Sequence, residues 1–243
     1  MIPLLTQISS HVHILPSDAE RDRPNLGYIH GQNYSMLIDT GNSQAHLQMM
    51  LHEIEKAGFP APKIALITHW HWDHTFAMHA FDGLTVAHRK TNQILGTLTQ
   101  WEWTEEAMAE RLRTGEECEF CDTHIKVEYD DTTKIKVVQA DIAFNGSTAF
   151  NLGDVTVEVT PITNPHSDDG VVVYIKEDKV LFAGDADTGD FYTLDGGYDP
   201  DRFYHYINEV DKIDYETYIH GHLDPMTREA VRAFRKQIED EEL

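Results

Sequence analysis

Positive charge is scarce in this chain. Against 42 Asp and Glu there are 19 Lys and Arg, a formal net charge of −23. A surface this acidic repels phosphate backbones and anionic lipid, which excludes nucleic acid and a membrane as main partners. It leaves room for a small-molecule substrate, even an anionic one, because a bound cation inverts the field locally. Cysteine is nearly absent: Cys118 and Cys121 are the two present, too few for a disulfide framework. No apolar run approaches the ~18 to 20 residues of a membrane span. The opening residues lack Lys and Arg and hold only a short, interrupted apolar stretch, so no secretory signal is read there and a cytoplasmic protein is expected. Proline (9) and glycine (15) do not cluster, and no repeat or low-complexity linker divides the 243 residues. Residues 1–243 are therefore read as one domain, monomeric or homodimeric. Hydrophobic residues at 41% and charged residues at 25% exclude disorder and fibre.

Short β-rich runs recur at His11–Leu15, Leu26–His30, Tyr34–Asp39, Ile64–Thr68, Leu84–Ala87, Val155–Thr160, Val171–Ile175 and Val180–Ala183. Gly31-Gln32-Asn33 predicts a hairpin turn. Three helices stand out by their apolar spacing. Ser43–Ala57 follows Asn42 as a candidate cap and stops at Gly58; Asp201–Ile213 carries Phe203, Ile207 and Val210; a last helix is capped by Thr227. From Arg89 to Arg113 the pattern is helical but interrupted at Gly96. Strands, a helix, then strands and a helix again predict an α/β protein built of two halves.

Histidine is plentiful, at 15 residues, and it is organised. The strongest pattern is His69-Trp70-His71-Trp72-Asp73-His74. Imidazoles two apart point the same way in extended backbone, and a following turn brings Asp73 and His74 onto an adjacent position. His166 follows the run Val155–Thr163, Asp185 follows Val180–Gly184, and His222 follows Tyr218–Gly221. Each group stands just past the end of a β run, where loops on a rigid sheet carry function. Imidazoles and carboxylates converging from four strand ends predict a metal site.

These residues resemble the HxHxDH signature and the later motifs of the metallo-β-lactamase superfamily. The resemblance continues through Asp39 in Ile38-Asp39-Thr40-Gly41, His166 in Pro165-His166-Ser167, Asp185 in Ala183-Gly184-Asp185, and His222 after Gly221, in the family's order. It implies a four-layer αβ/βα sandwich with two divalent metal ions at one edge, zinc by preference and iron or manganese as alternatives. By position, His69, His71 and His166 would hold the first metal, Asp73, His74 and His222 the second, with Asp185 bridging. Asp39 would prop the ligand loop without binding metal. Asp73 is also the expected catalytic carboxylate. The implied chemistry is metal-assisted hydrolysis by a metal-bound hydroxide on a small ester, thioester, lactone or amide. The alternatives are a small-nucleotide phosphodiesterase and an iron-dependent oxidoreductase on the same scaffold.

Departures from the family narrow this. The zinc β-lactamases carry a different residue in the place of Asp185, and no Lys follows His222 to meet a β-lactam carboxylate, so a true β-lactamase is not expected. Pro-His-Ser-Asp-Asp-Gly around His166 differs from the Gly-His-Thr-Pro-Gly form of hydroxyacylglutathione hydrolases and lactonases. The oxygen-reducing diiron branch has Glu where this chain has His71. The 95 residues between His71 and His166 are long for the family, and the surplus is placed at 97–130, a helical insertion. It is read as a lid or pocket wall, with packing or a dimer contact as the alternative. Trp101, Trp103 and Tyr192 are the expected pocket residues, with Phe120, Phe191 and Tyr198 as further candidates. Trp70 and Trp72 are assigned to packing, His79, His88 and His205 to places off the site, and His222 is preferred over His220 as the ligand. Cys118 and Cys121 form a lone CxxC, either a reduced pair without a role or a redox or metal site.

Overall fold

Runs such as Val171–Ile175, apolar at nearly every position, suit strands that are covered on both faces. The computed structural model describes residues 4–243, and among these the chain forms thirteen strands and seven α-helices. Strands β1 (Thr6–Gln7), β2 (Val12–Leu15), β3 (Leu26–His30) and β4 (Ser35–Ile38) make an antiparallel meander. After helix α1 (Gln44–Lys56), strands β5 (Ile64–Leu66), β6 (Leu84–His88) and β7 (Ile142–Phe144) join in parallel. A single helical turn, α2 (Trp72–Thr75), follows β5; α3 (Arg89–Leu98), α4 (Glu105–Thr114) and α5 (Glu119–Glu128) lie between β6 and β7. The second sheet holds β8 (Thr148–Asn151), β9 (Thr156–Pro161), β10 (Val171–Ile175), β11 (Val180–Gly184), β12 (Thr217–His220) and β13 (Met226–Thr227) in that order. Only its β11–β12 pair is parallel, joined through α6 (Pro200–Val210), and α7 (Arg228–Glu242) follows β13.

Side-chain alternation sorts the layers. Val12, Ile29, Met36 and Ile38 on one sheet meet Val157, Val159, Val173 and Phe182 on the other. The opposite faces are covered by helices: Tyr28 and Leu37 pack on Leu47, Met50 and Ile54 of α1, while Leu181 and Ala183 pack on Tyr206, Val210 and Val231 of α6 and α7. This is the expected four-layer αβ/βα sandwich. No helix among the described residues is long and apolar enough to cross a membrane.

Local details correct three expectations. Ser43, not Asn42, caps α1: its Oγ accepts the His46 N–H at 3.1 Å, while Asn42 Nδ2 donates to Arg21 O at 2.8 Å. Helix α3 runs straight through Gly96, whose missing Cβ would lie 2.9 Å from Gln139 Nε2, so this glycine admits a neighbour and does not break the helix. Helix α6 is capped by Asp199 with Pro200 in its first turn, and ends at Val210 instead of Ile213. The Thr227 cap of α7 stands as expected, with Oγ1 accepting from Ala230 N at 3.2 Å.

The insertion is fastened at its far end. Glu128, at the end of α5, has a buried carboxylate that takes Arg23 Nη2 at 2.7 Å, Arg21 Nη1 at 3.2 Å and the Ser43 hydroxyl, and Tyr129 OH donates to Asn42 O at 2.8 Å. Helix α5 is thereby clamped to the loop between β2 and β3 and to the turn that leads into α1.

Candidate metal centre

The loop after β5 is shaped by one carboxylate. Asp39 directly follows β4 in left-handed backbone (φ 60°) and is buried. Its Oδ1 accepts Thr68 N at 2.7 Å, and its Oδ2 accepts Thr68 Oγ1 and His74 Nδ1, both at 2.8 Å. These bonds fix proton positions. The Thr68 hydroxyl uses its one donor on Asp39, so it accepts from His69 Nδ1 at 3.0 Å, which leaves the His69 Nε2 lone pair bare and without a hydrogen-bond partner. His74 donates through Nδ1, so its Nε2 is likewise presented inward. His71 is extended (φ −58°, ψ 150°) before the turn of α2, which swings Asp73 and His74 to the same side.

The second sheet supplies the remaining donors. His166 follows β9; its Nδ1 donates to Gly189 O at 2.9 Å and its Nε2 comes within 2.8 Å of His71 Nδ1. Buried Asn164 shapes this loop, its Oδ1 accepting the N–H groups of His166 and Ser167. Asp185 follows Gly184, a left-handed residue at the bulged end of β11. Its Oδ2 stands 3.2 Å from His222 Nε2, 3.4 Å from His74 Nε2 and 3.8 Å from His166 Nε2. His222 Nε2 is also 3.1 Å from Asp73 Oδ2. Two donor sets result: His69, His71 and His166, and Asp73, His74, Asp185 and His222, each with its atoms within 4.8 Å of one another. Asp185 reaches toward both, and all seven residues expected from the sequence are brought together.

The charge balance fits cations. Burial, reinforced by neighbouring imidazoles, pushes His69 and His71 well below the ordinary histidine value, and burial lowers His166 as well, so all three are neutral donors. Burial also opposes charge on His74 and His222, but the carboxylates of Asp73 and Asp185 override it and hold both well above the ordinary value. Asp22, Asp39, Asp73 and Asp185 are all buried here, and no Lys or Arg lines the adjoining cavity. Protonated imidazoles thus stand where a bound dication would neutralise the carboxylates instead. The bare Nε2 of His69 and the unpartnered Oδ1 of Asp185 complete a donor set suited to metal.

The cavity above these residues measures about 420 Å³. His71, Asp73, Asp185 and His222 form its floor; Phe120, His124, Phe191, Tyr198, Leu223 and Phe234 form much of its wall. Phe120 and His124 come from α5, and Phe120 lies 5.0 Å from Phe191, ring to ring. Three expected pocket residues are elsewhere. Trp101 and Trp103 flank the Arg111 guanidinium at 4.5 and 4.7 Å, with Trp103 packed on Phe76 at 5.1 Å, so their bulk anchors α4 beneath the wall. Tyr192 is half-buried behind His71 and Trp70, ring to ring at 5.2 and 4.8 Å. Phe191 and Tyr198 do line the cavity. Trp70 and Trp72 pack in the cluster around Phe76 and Leu95, although an edge of Trp72 reaches the cavity. His79 and His205 lie away from the donors, as does His88 on β6.

His220 lies in the wall beside His222, but its Nδ1 accepts the His222 N–H at 2.9 Å and its Nε2 faces Thr188 Oγ1 at 3.0 Å, so it orients the loop while His222 points at the carboxylates. Two contributors had no sequence signature. Asn25 holds the His222 loop through Nδ2 to His220 O and Leu223 O, both at 2.8 Å. Asp22, 3.6 Å from His222 Nδ1, has its carboxyl pushed up to about 7 by burial and by Asp73. Because Asp39 orients both Thr68 and His74, Asp39→Ala is expected to weaken metal binding by about 10- to 100-fold with the fold retained. Titration of metal-free protein with zinc, beside circular dichroism, checks this.

The model of the metallo-beta-lactamase superfamily matches residues 20–222. The human protein "Acyl-coenzyme A thioesterase MBLAC2" is 24% identical over 182 residues, which is 68% of this chain; the match spans 58% of that relative's length. Among solved structures, a metallo-beta-lactamase from Pontibacter korlensis superposes with TM-score 0.70 at 18% identity, covering 98% of this chain and 99% of that one. A metallo-beta-lactamase family protein from Thermus thermophilus gives TM-score 0.67 at 16% identity, covering 96% and 81%. These likenesses show the fold.

Proposed function

The chain belongs to the metallo-beta-lactamase superfamily, and from that premise we propose that it is a zinc-dependent hydrolase of small, uncharged acyl esters or thioesters. The observation that carries this reading is the pairing of a His/Asp floor with aromatic walls and no Lys or Arg lining. Bound at the two donor sets, zinc would polarise an acyl carbonyl and acidify water. The chain's own groups do the rest. Asp73, on the cavity floor with its Oδ2 2.9 Å from His74 Nε2, orients the attacking water and takes up its proton. Asp185 holds His74 and His222 in register. Phe120, Phe191 and Phe234 enclose an apolar acyl group and keep bulk water from it.

A phosphodiester or a β-lactam carboxylate would find no Lys or Arg among the residues that line the cavity, which argues against either as substrate. An oxygen-reducing diiron role is disfavoured by His71. The relative named as an acyl-coenzyme A thioesterase supports acyl transfer from a thioester to water.

A panel of p-nitrophenyl esters, acyl thioesters, lactones and bis-p-nitrophenyl phosphate tests the reading on zinc-loaded protein. The expected result is kcat/KM for esters or thioesters at least about 100-fold above the phosphodiester, abolished by a chelator and restored by zinc. Preference for the phosphodiester, or turnover indifferent to the chelator, would overturn it. Phe120→Ala or Phe191→Ala removes one apolar contact worth about 1 to 2 kcal/mol, so kcat/KM for long-chain acyl esters should fall about 5- to 30-fold while acetyl esters are little changed. Chain-length series on each variant check this.

A further inference from the structure

The Cys118–Cys121 pair plays no part in the reading above, yet its setting is organised. Cys118 caps the ten-residue helix α5, and its Sγ accepts the backbone N–H of Cys121 at 3.2 Å, which holds both thiols over the first turn. The two sulfur atoms and a carboxylate oxygen of Glu117 lie within 4.8 Å of one another, and both cysteines are free. Cys118 is half-buried; Cys121 is buried and forms part of the cavity wall. The Tyr192 hydroxyl spans the group, donating to Glu117 Oε1 at 2.9 Å with Cys121 Sγ at 3.5 Å. The other face of the same ring meets His71.

The two thiols are unequal. A hydrogen bond from the Cys121 thiol holds Cys118 below the ordinary cysteine value. Cys121 is pushed well above it by that same bond, by burial and by Glu117. Burial also raises the Glu117 carboxyl. One sulfur is therefore the accessible nucleophile, and the other keeps its proton beside a carboxylate that can receive it.

We propose that Cys118 and Cys121 form a reversible disulfide in the cavity wall, made by a hydroperoxide and opened by a dithiol. The Cys118 thiolate attacks a peroxide oxygen; the O–O bond breaks, the sulfur becomes a sulfenic acid, and the other oxygen leaves protonated as water or an alcohol. The Cys121 sulfur then displaces the sulfenic oxygen, forming the S–S bond, while its proton passes through Glu117 to the departing oxygen, which leaves as water. In sum, two thiols and one hydroperoxide give one disulfide, one alcohol or water, and one water. A resident metal at this spot is disfavoured, since only two sulfur donors are present and the Tyr192 hydroxyl already occupies Glu117 and approaches Cys121. Closing the bond draws the Cys121 sulfur away from Tyr192 and so alters the packing behind His71.

The test uses the full-length, metal-loaded protein and hydrogen peroxide. Denatured in N-ethylmaleimide, the reduced protein should take up two labels, the peroxide-treated protein none, and the dithiothreitol-treated protein two again, with the cross-link mapped by peptide mass. Cys121→Ser should stop at a dimedone-reactive sulfenic acid on Cys118, and Cys118→Ser should resist peroxide. Two labels persisting after peroxide would overturn the proposal. So would equal peroxide rates for both single variants, or a cobalt(II)–thiolate absorption band that either variant abolishes. On the hydrolase reading, oxidation also changes KM for long-chain esters at constant metal content. The labelling result stands apart from that reading and fails separately from it.

Discussion

Asp185→Asn should lose metal and activity together, with ester hydrolysis falling by well over the ~10- to 100-fold expected for a supporting residue. The Asp185 carboxylate stands 3.2, 3.4 and 3.8 Å from the inward nitrogens of His222, His74 and His166, its second oxygen unpartnered. Asparagine keeps the shape and one acceptor but removes the charge that would offset repulsion between cations bound at the two donor sets. Elemental analysis after dialysis against a weak chelator should find one metal or none per chain where the parent keeps its full complement. Full metal content with unchanged turnover would show that Asp185 does not join the two donor sets.

Gly221→Ala is expected to produce nearly the same loss without replacing any donor. A Cβ on Gly221 would fall 1.8 Å from Asp185 Oδ1 and 3.3 Å from His74 Cε1. The Gly221 backbone is not left-handed, so alanine meets no intrinsic penalty there. What must yield is the end of the Asp185 side chain, which can swing aside at small cost to the fold and at large cost to the site. Metal content and kcat/KM should fall to within about tenfold of the Asp185→Asn values, while the melting temperature of the metal-free protein shifts by only a few degrees. Calorimetry on metal-free protein, with activity on reloaded protein, separates the two effects. A variant that binds metal normally would show that Asp185 is not held against this glycine.

The donors were legible in sequence because each follows a strand, and strand ends are marked by apolar runs that stop at a polar residue. Four of them are contiguous in His69–His74, and Asp39 stands in the turn after Ile38. Asn25 and Asp22 carry no such mark: Asn25 meets His220 across 195 residues, and only the closed sandwich brings them together. The edge strands β1, β7, β8 and β13 are not legible in the sequence because each is only two to four residues long, too short to show a period. In the insertion, residue size misled. Trp101 and Trp103 look like pocket residues by bulk, but a buried Arg111 needs flat aromatic faces on which to rest. Phe120, expected with them, does reach the cavity beside Cys121 and His124, and all three owe their direction to the phase of α5, which the Cys118 cap sets.

Among the described residues the chain crosses from one sheet to the other only once. Every strand of the first sheet ends by Phe144 and every strand of the second begins from Thr148, with Gly146 between them facing open space. Yet neither donor set belongs to one side of that crossing: His69 and His71 need His166, and Asp73 and His74 need Asp185 and His222. A break in the backbone at Gly146 would leave each piece its own complete ladder of strand hydrogen bonds but no whole donor set. Metal would then act as a clasp, taken up only as the pieces meet and tightening their grip by the free energy of its own binding.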